Sequence, residues 1–147
     1  MSSFVNTQNT RPNGYDAVIA DIAKQNVCPF CPEHLAEFHK RPLERRSFWT
    51  VTDNMYPYQP TRHHKLVIHT KHIEHISEIT PEAWKELGEI MQGLALGNGV
   101  VGGTMLLRFG DTQFTGGTVS HLHANLVQSN PDDPSYDPKI GLVRRIG

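Results

Sequence analysis

The residues with the clearest chemical potential lie close together near the C-terminal end of the chain. The run His121-Leu122-His123-Ala124-Asn125-Leu126-Val127 alternates polar and apolar side chains. In a strand, successive side chains point to opposite faces, so His121, His123 and Asn125 share one face while Leu122, Ala124 and Leu126 share the other. Alternate positions on a strand stand about 6–7 Å apart, and a strand holds its side chains more rigidly than a loop does. Just upstream, Thr115, Gly116, Gly117 and Thr118 offer backbone N–H groups and hydroxyls able to cradle a phosphate. A neutral imidazole facing a phosphate acts as a nucleophile or a proton-transfer group. Spacing alone is equally compatible with a polar sheet face carrying two solvated histidines.

The second cluster is Cys28-Pro29-Phe30-Cys31. Its spacing suits a metal knuckle, and zinc with two thiolates and two imidazoles is a common closed structural set. The same four residues resemble the CPYC redox motif of glutaredoxins, which follows a buried strand and opens a helix. Here the motif follows a helical pattern, and Pro32 comes directly after Cys31. A reduced, unliganded pair is the third reading. His34, three residues beyond Cys31, is a minor alternative ligand on spacing.

Several elements must position these groups. Residues 15–26 (YDAVIADIAKQN) place Val18, Ile19, Ile22 and Ala23 on one helical face. Residues 1–14 read as an extended polar arm, leaving 15–147 as one domain. Residues 47–52, 65–69, 104–109 and 121–127 read as strands, and residues 139–147 as a further edge strand. The strongest helix signal starts at Thr80 as N-cap with Pro81 and Glu82 in the first turn, and ends near Gly97-Asn98-Gly99. Ala83, Trp84, Leu87, Ile90, Met91 and Leu94 recur there at helical spacing. Strands joined by short turns and outnumbering long helices point to an α+β fold. Its sheet is mostly antiparallel, with about five strands, one long helix and one or two shorter ones.

Composition narrows the function classes. The chain has 147 residues, 37% hydrophobic and 20% charged, with a net charge of −1. One domain with a modest core fits those values. The balanced charge argues against a nucleic-acid polymer or an anionic membrane as partner. No run of about 18 apolar residues is present to span a bilayer. The polar N-terminal segment lacks the apolar core of a secretory signal, so a cytoplasmic location is expected. Nine histidines are an unusual number. His34, His39 and His63 are expected to face solvent, as is the 41–46 charge run (RPLERR).

Four segments, in order, carry a family resemblance. GGTVSHLHANLV resembles the signature of the histidine triad (HIT) superfamily, in which histidines alternate with apolar residues after a glycine-rich loop. HHKLVIHTKHIEHISEITPEAWKELGEIM is similar to the family's earlier block of strand, Lys-His turn and long helix. DNMYPYQP resembles the Asn-x-Tyr-Pro-Tyr loop of relatives of bacterial diadenosine polyphosphate phosphorylases. CPFC resembles the two-cysteine motif of the zinc-containing branches, among them galactose-1-phosphate uridylyltransferases.

The resemblance implies a HIT-like fold and a nucleotide hydrolase or nucleotidyltransferase acting at an α-phosphate. His123 matches the nucleophile that forms a nucleotidyl-histidine intermediate, and His121 the supporting first histidine. Asn54 matches the asparagine near the ribose, and Thr118 a hydroxyl near the phosphate. Gly116 and Gly117 belong to the phosphate loop, and Arg108 is placed as a phosphate contact. Structural zinc held by Cys28, Cys31, His72 and His121 is implied, with His75 as runner-up ligand. His64 matches a position under the site, and Tyr56 or Tyr58 is a candidate for base stacking. A nucleotide or dinucleotide substrate and a homodimer are implied as partners. Asn125 departs from the pattern, since most members carry a third histidine there and some transferase branches carry glutamine. Asparagine keeps an amide on a shorter arm. The departure points either to transferase-type branches or to a nucleotide-binding protein with weakened chemistry.

Overall fold

The computed structural model describes residues 3–11, 14–144 and 146. Residues 1, 2, 12, 13, 145 and 147, at which the expected arm and C-terminal strand are incomplete, lie outside the described set. The described residues form three α-helices and one five-stranded sheet. The helices are α1 (Tyr15–Gln25), α2 (Pro32–Phe38) and α3 (Pro81–Gly97). The strands are β1 (Glu44–Arg45), β2 (Trp49–Asp53), β3 (Thr61–His69), β4 (Thr104–Arg108) and β5 (His123–Ser129). Every pairing is antiparallel, in the order β1-β2-β3-β5-β4. The fold is α+β with the expected strand and helix content. Its fifth strand, however, is β1, inside the 41–46 charge run. No strand forms among the described residues of the 139–147 tail. A run bounded by Pro42 and dense in charge carries little strand pattern, yet it pairs because β2 leaves an open edge.

Helix α3 forms for the reasons its sequence gives. The Thr80 hydroxyl accepts from Ala83 N–H at 3.2 Å, and Pro81 occupies a position whose N–H would be orphaned. Its buried face, Ala83, Leu87, Ile90 and Met91, packs with Trp49, Val51, Val67, Leu122, Ala124 and Leu126 on one face of the sheet. Trp49 is fully buried and donates from Nε1 to Ala83 O at 2.8 Å. Glu86 on the same helix accepts from Ser47, Phe48 and Trp49 N–H at 3.1, 2.7 and 3.1 Å, which pins the start of β2 to α3.

The opposite sheet face is only partly covered. Leu35 of α2 packs with Leu66 and Ile68, and Ile19 and Ile22 of α1 pack with Val5 and Val119. Within the segment expected as an arm, a 3-10 turn forms at Thr7–Asn9 and Val5 bridges Val119. Asn6 N–H donates to Thr118 O at 2.7 Å, which holds this segment against the glycine-rich loop. Between α1, α2, that loop and the sheet lies a cavity of about 350 Å³.

Candidate functional site

His123 opens β5, paired with Ile68 on one side and Arg108 on the other. Directly paired residues share a face, so Arg108 and His123 stand side by side at the cavity floor. The ring of His123 donates from Nδ1 to His121 O at 2.8 Å. That carbonyl can only accept, so the proton sits on Nδ1 and Nε2 carries a lone pair. Burial pushes the His123 pKa down to about 4, and the Arg108 charge adds to the drop. The imidazole is therefore neutral at neutral pH. Phe30 stands edge-on to it at 5.1 Å.

Asn125, two residues on, lines the same cavity. Its amide is fixed by His64. The His64 Nδ1 accepts from Tyr58 N–H at 3.0 Å, which places the proton on Nε2, and Nε2 donates to Asn125 Oδ1 at 2.8 Å. Burial pushes the His64 pKa down to about 4. With one oxygen lone pair engaged by His64, the Asn125 amide keeps its two N–H donors and a second acceptor position. Asn54 also lies at the cavity, with Oδ1 accepting from Tyr56 N–H at 2.8 Å and Nδ2 3.2 Å from His64 Nε2.

Gly116, Gly117 and Thr118 reach the cavity wall. Gly116 has φ +65°, a left-handed conformation that suits glycine. At Gly117 a Cβ would meet the Thr115 hydroxyl at 3.1 Å and the Arg108 side chain at 3.3 Å. Part of this loop is already engaged within the chain. Gly117 N–H donates to the Thr115 hydroxyl at 3.1 Å, and the Thr118 hydroxyl donates to Asn9 O at 3.2 Å. Arg108 donates from Nε to Thr115 O at 2.9 Å and from Nη1 to the Tyr58 hydroxyl at 3.2 Å.

His121 is not among the cavity-lining residues, although Phe30 stands edge-on to its ring at 6.2 Å as it does to that of His123. It precedes β5 at a bend and is fully buried. Its Nε2 donates to His69 O at 2.7 Å, which leaves Nδ1 free of a proton and directed at two sulfurs. Cys28 Sγ lies 3.3 Å from this nitrogen and Cys31 Sγ 3.7 Å. Cys31 Sγ also lies 3.4 Å from His72 Nδ1, whose other nitrogen faces Glu74 Oε1 at 3.2 Å. All four donor atoms fall within 4.8 Å of one another. Tetrahedral zinc with ordinary Zn–S and Zn–N lengths requires sulfur-to-nitrogen separations of about 3.5 Å. The residues fit the metal, with a carbonyl and a carboxylate orienting both imidazoles from behind.

His75 stands apart from this cluster, its Nδ1 accepting from Ser77 N–H at 3.2 Å as the cap of a short 3-10 turn. His34 is likewise outside it. The redox reading fits poorly, because the motif follows α1 rather than a strand. Burial also pushes the Cys31 thiol up to about 12, opposite to the activated thiolate such a motif needs.

The remaining histidines divide differently from the sequence expectation. His39 is buried, not solvated, with Nε2 2.8 Å from the Thr52 hydroxyl. His69 is buried and lends its carbonyl to His121. Two arginines at the cavity were not singled out in the sequence. Arg11 follows the Thr7–Asn9 turn and Arg144 lies near the C-terminal end, yet both line the cavity. Neither belongs to a chemical motif, so only the folded chain brings them to Tyr58. The 41–46 run stays at the β1 edge, away from the cavity, where Arg46 pairs with Glu44.

No family model and no curated protein matches this sequence. Solved structures do. A zinc-bound histidine triad family protein from Mycobacterium smegmatis is 22% identical, over 76% of this chain and 83% of that one, with a TM-score of 0.56. A hypothetical histidine triad nucleotide-binding protein from Sulfolobus tokodaii is 20% identical, over 80% of this chain and 82% of that one, with a TM-score of 0.57. A HIT family hydrolase from Clostridium thermocellum is 21% identical, over 74% of this chain and 95% of that one, with a TM-score of 0.53. The antiparallel sheet, the long helix on one face and the cavity on the other thus build the fold of the histidine triad proteins.

Proposed function

We propose that this chain is a nucleotide-binding enzyme of the histidine triad family, acting at the α-phosphate of a nucleotide or dinucleotide polyphosphate. The observation that carries the reading is the His123 imidazole, neutral and fixed by the His121 carbonyl, beside Arg108 on the cavity floor. The proposed reaction has two displacements. His123 Nε2 attacks the α-phosphorus, and the phosphorus–oxygen bond to the leaving group breaks with its electron pair. Water or a second phosphate then attacks the same phosphorus, releases the nucleotide and restores the imidazole. The first acceptor gives hydrolysis and the second gives transfer. Fixed donors aimed at the phosphorus-bound oxygens meet the largest energetic demand. Arg108, the Asn125 amide and the Gly116–Thr118 segment are proposed for that role, and Asn54 for the ribose. Ile19, Ile22, Phe30 and Phe38 form an apolar wall suited to a base.

Zinc at Cys28, Cys31, His72 and His121 would supply a closed structural tie, not a reaction centre. It would lock the 28–31 turn to the carbonyl that orients His123. The pair of free thiols suits a reducing compartment, which supports a cytoplasmic location. No helix among the described residues is long and apolar enough to cross a membrane. A homodimer joined through β4 is also proposed, because β4 is a sheet edge and Met105 on it is 56% exposed.

The test is covalent trapping. Wild-type protein mixed with labelled dinucleotides and quenched under conditions that preserve a phosphoramidate should carry one nucleotidyl group, and His123→Ala should carry none and turn over nothing. Turnover at the wild-type rate in His123→Ala would sink the mechanism. A second reading, a binding protein with weakened chemistry, rests on the Asn125 amide, which carries no proton that titrates near neutral pH. Nucleotide binding by calorimetry with no label would favour it.

A further inference from the structure

Three guanidinium groups from distant parts of the chain converge on one buried phenol. The Arg11 Cζ lies 4.9 Å from the Tyr58 ring centroid and the Arg144 Cζ lies 4.3 Å from it. Arg108 meets the same side chain at its hydroxyl, 3.2 Å away. Tyr58 is 8% exposed, and all three arginines line the cavity that holds His123. Among the described residues, no carboxylate pairs with Arg11 or Arg144. Arg11 Nη1 and Arg144 Nε are buried without any hydrogen-bond partner. Stacking on an aromatic face offsets part of the cost of holding like charges together. It does not satisfy a desolvated N–H, which is costly when left without an acceptor.

A bound polyanion removes both penalties. A guanidinium presents paired N–H donors that match phosphate oxygens, which favours phosphate over a diffuse anion. The placement is ordered as well. Arg108 is the strand partner of His123, where the reacting phosphate would lie, while Arg11 and Arg144 gather on the ring of Tyr58. One phosphate at His123 leaves that second pair unserved. We infer that Arg11, Arg108 and Arg144 form a polyphosphate cradle, so that the ligand of this site carries at least one phosphate beyond the one facing His123. The inference deepens the function proposed above and rests on its placement of the α-phosphate. It selects nucleoside or dinucleoside polyphosphates over nucleoside phosphoramidates and simple monophosphate esters.

The test uses two probes that need no base: inorganic phosphate and inorganic tripolyphosphate, titrated calorimetrically. Wild-type protein should bind tripolyphosphate at least tenfold more tightly than phosphate. The preference should collapse to within about twofold in Arg11→Gln/Arg144→Gln and partly return in Arg11→Lys/Arg144→Lys, which keeps charge but loses the planar fork. Thermal melting confirms that each variant is folded. In His123→Ala the preference should persist. Equal affinity for the two anions in wild type, or an unchanged preference in the folded glutamine variant, would overturn the cradle. Loss of labelling at His123 with the preference intact would instead overturn the reaction and leave the cradle standing.

Discussion

Chelation gives the sharpest test of how the Cys28–His121 cluster works. The four donors come from the turn after α1, the segment after β3 and the approach to β5. A metal there binds the folded chain and has no preformed site in the unfolded one. Free zinc at 100 times the dissociation constant stabilises the fold by about 2.7 kcal/mol. Unfolding entropy of about 2.1 cal/mol/K per residue, over 147 residues, gives about 0.3 kcal/mol/K. Stripping the metal should therefore lower Tm by about 9 °C. Calorimetric melts with and without a chelator, in reducing buffer, measure this directly, and elemental analysis should find about one zinc per chain. Cys28→Ala should abolish both the zinc and the chelator response. His75→Ala should keep both, because His75 caps a turn outside the cluster. Less than half an equivalent of zinc in fresh protein, together with a chelator-insensitive Tm, would refute the assignment.

Three further outcomes are expected. The folded pKa of His64 is depressed by burial to about 4, below an unfolded value of about 6.5. The unfolded chain thus binds the extra proton between those limits, and stability falls as pH drops from about 6.5 towards 4, by about 1–3 kcal/mol for this group. Urea midpoints across that range should fall less steeply in His64→Gln, and parallel curves would contradict the reading. Trp49→Phe removes the bond to Ala83 O and opens a void in the main core, at a cost of about 2–3 kcal/mol in denaturant unfolding. A loss under about 0.5 kcal/mol would mean that the indole does not tie β2 to α3. Sedimentation should find a dimer that Met105→Lys converts to monomer, whereas a wild-type monomer at high concentration would remove β4 as an interface.

The sequence carried most where a local rule had a single solution. Helix α3 was legible from Thr80, Pro81 and its apolar spacing, because caps and periodicity act within one turn. The β5 alternation correctly sorted Leu122, Ala124 and Leu126 to the core face. It placed His121 with His123 as well, and Phe30 stands edge-on to both rings, but His121 precedes β5 and is buried out of the cavity against the two cysteines. Burial of His39 was equally hidden, since its partner Thr52 lies on another element. Arg11 and Arg144 were invisible for the same reason. Arg11 sits in a polar segment and Arg144 in a short tail, and only long-range packing around Tyr58 brings them together.

The hydrogen bonds behind the cavity also bear on the asparagine that replaces an expected histidine. Each imidazole in the row has its proton placed by a neighbour: His121 by the His69 carbonyl, His123 by the His121 carbonyl and His64 by the Tyr58 N–H. Asn125 completes the row by accepting from His64. Its amide can hold a phosphate oxygen, but an amide does not exchange a proton near neutral pH as imidazole does. On the proposed reaction, then, the leaving group must depart without a proton from this position. A basic leaving group, such as an amine or alkoxide, would be poorly served. A phosphate chain is already a stable anion and requires neutralisation rather than protonation. Arg11, Arg108 and Arg144 provide that charge on the cavity wall. The asparagine and the three arginines therefore describe one preference, for a substrate that leaves as phosphate.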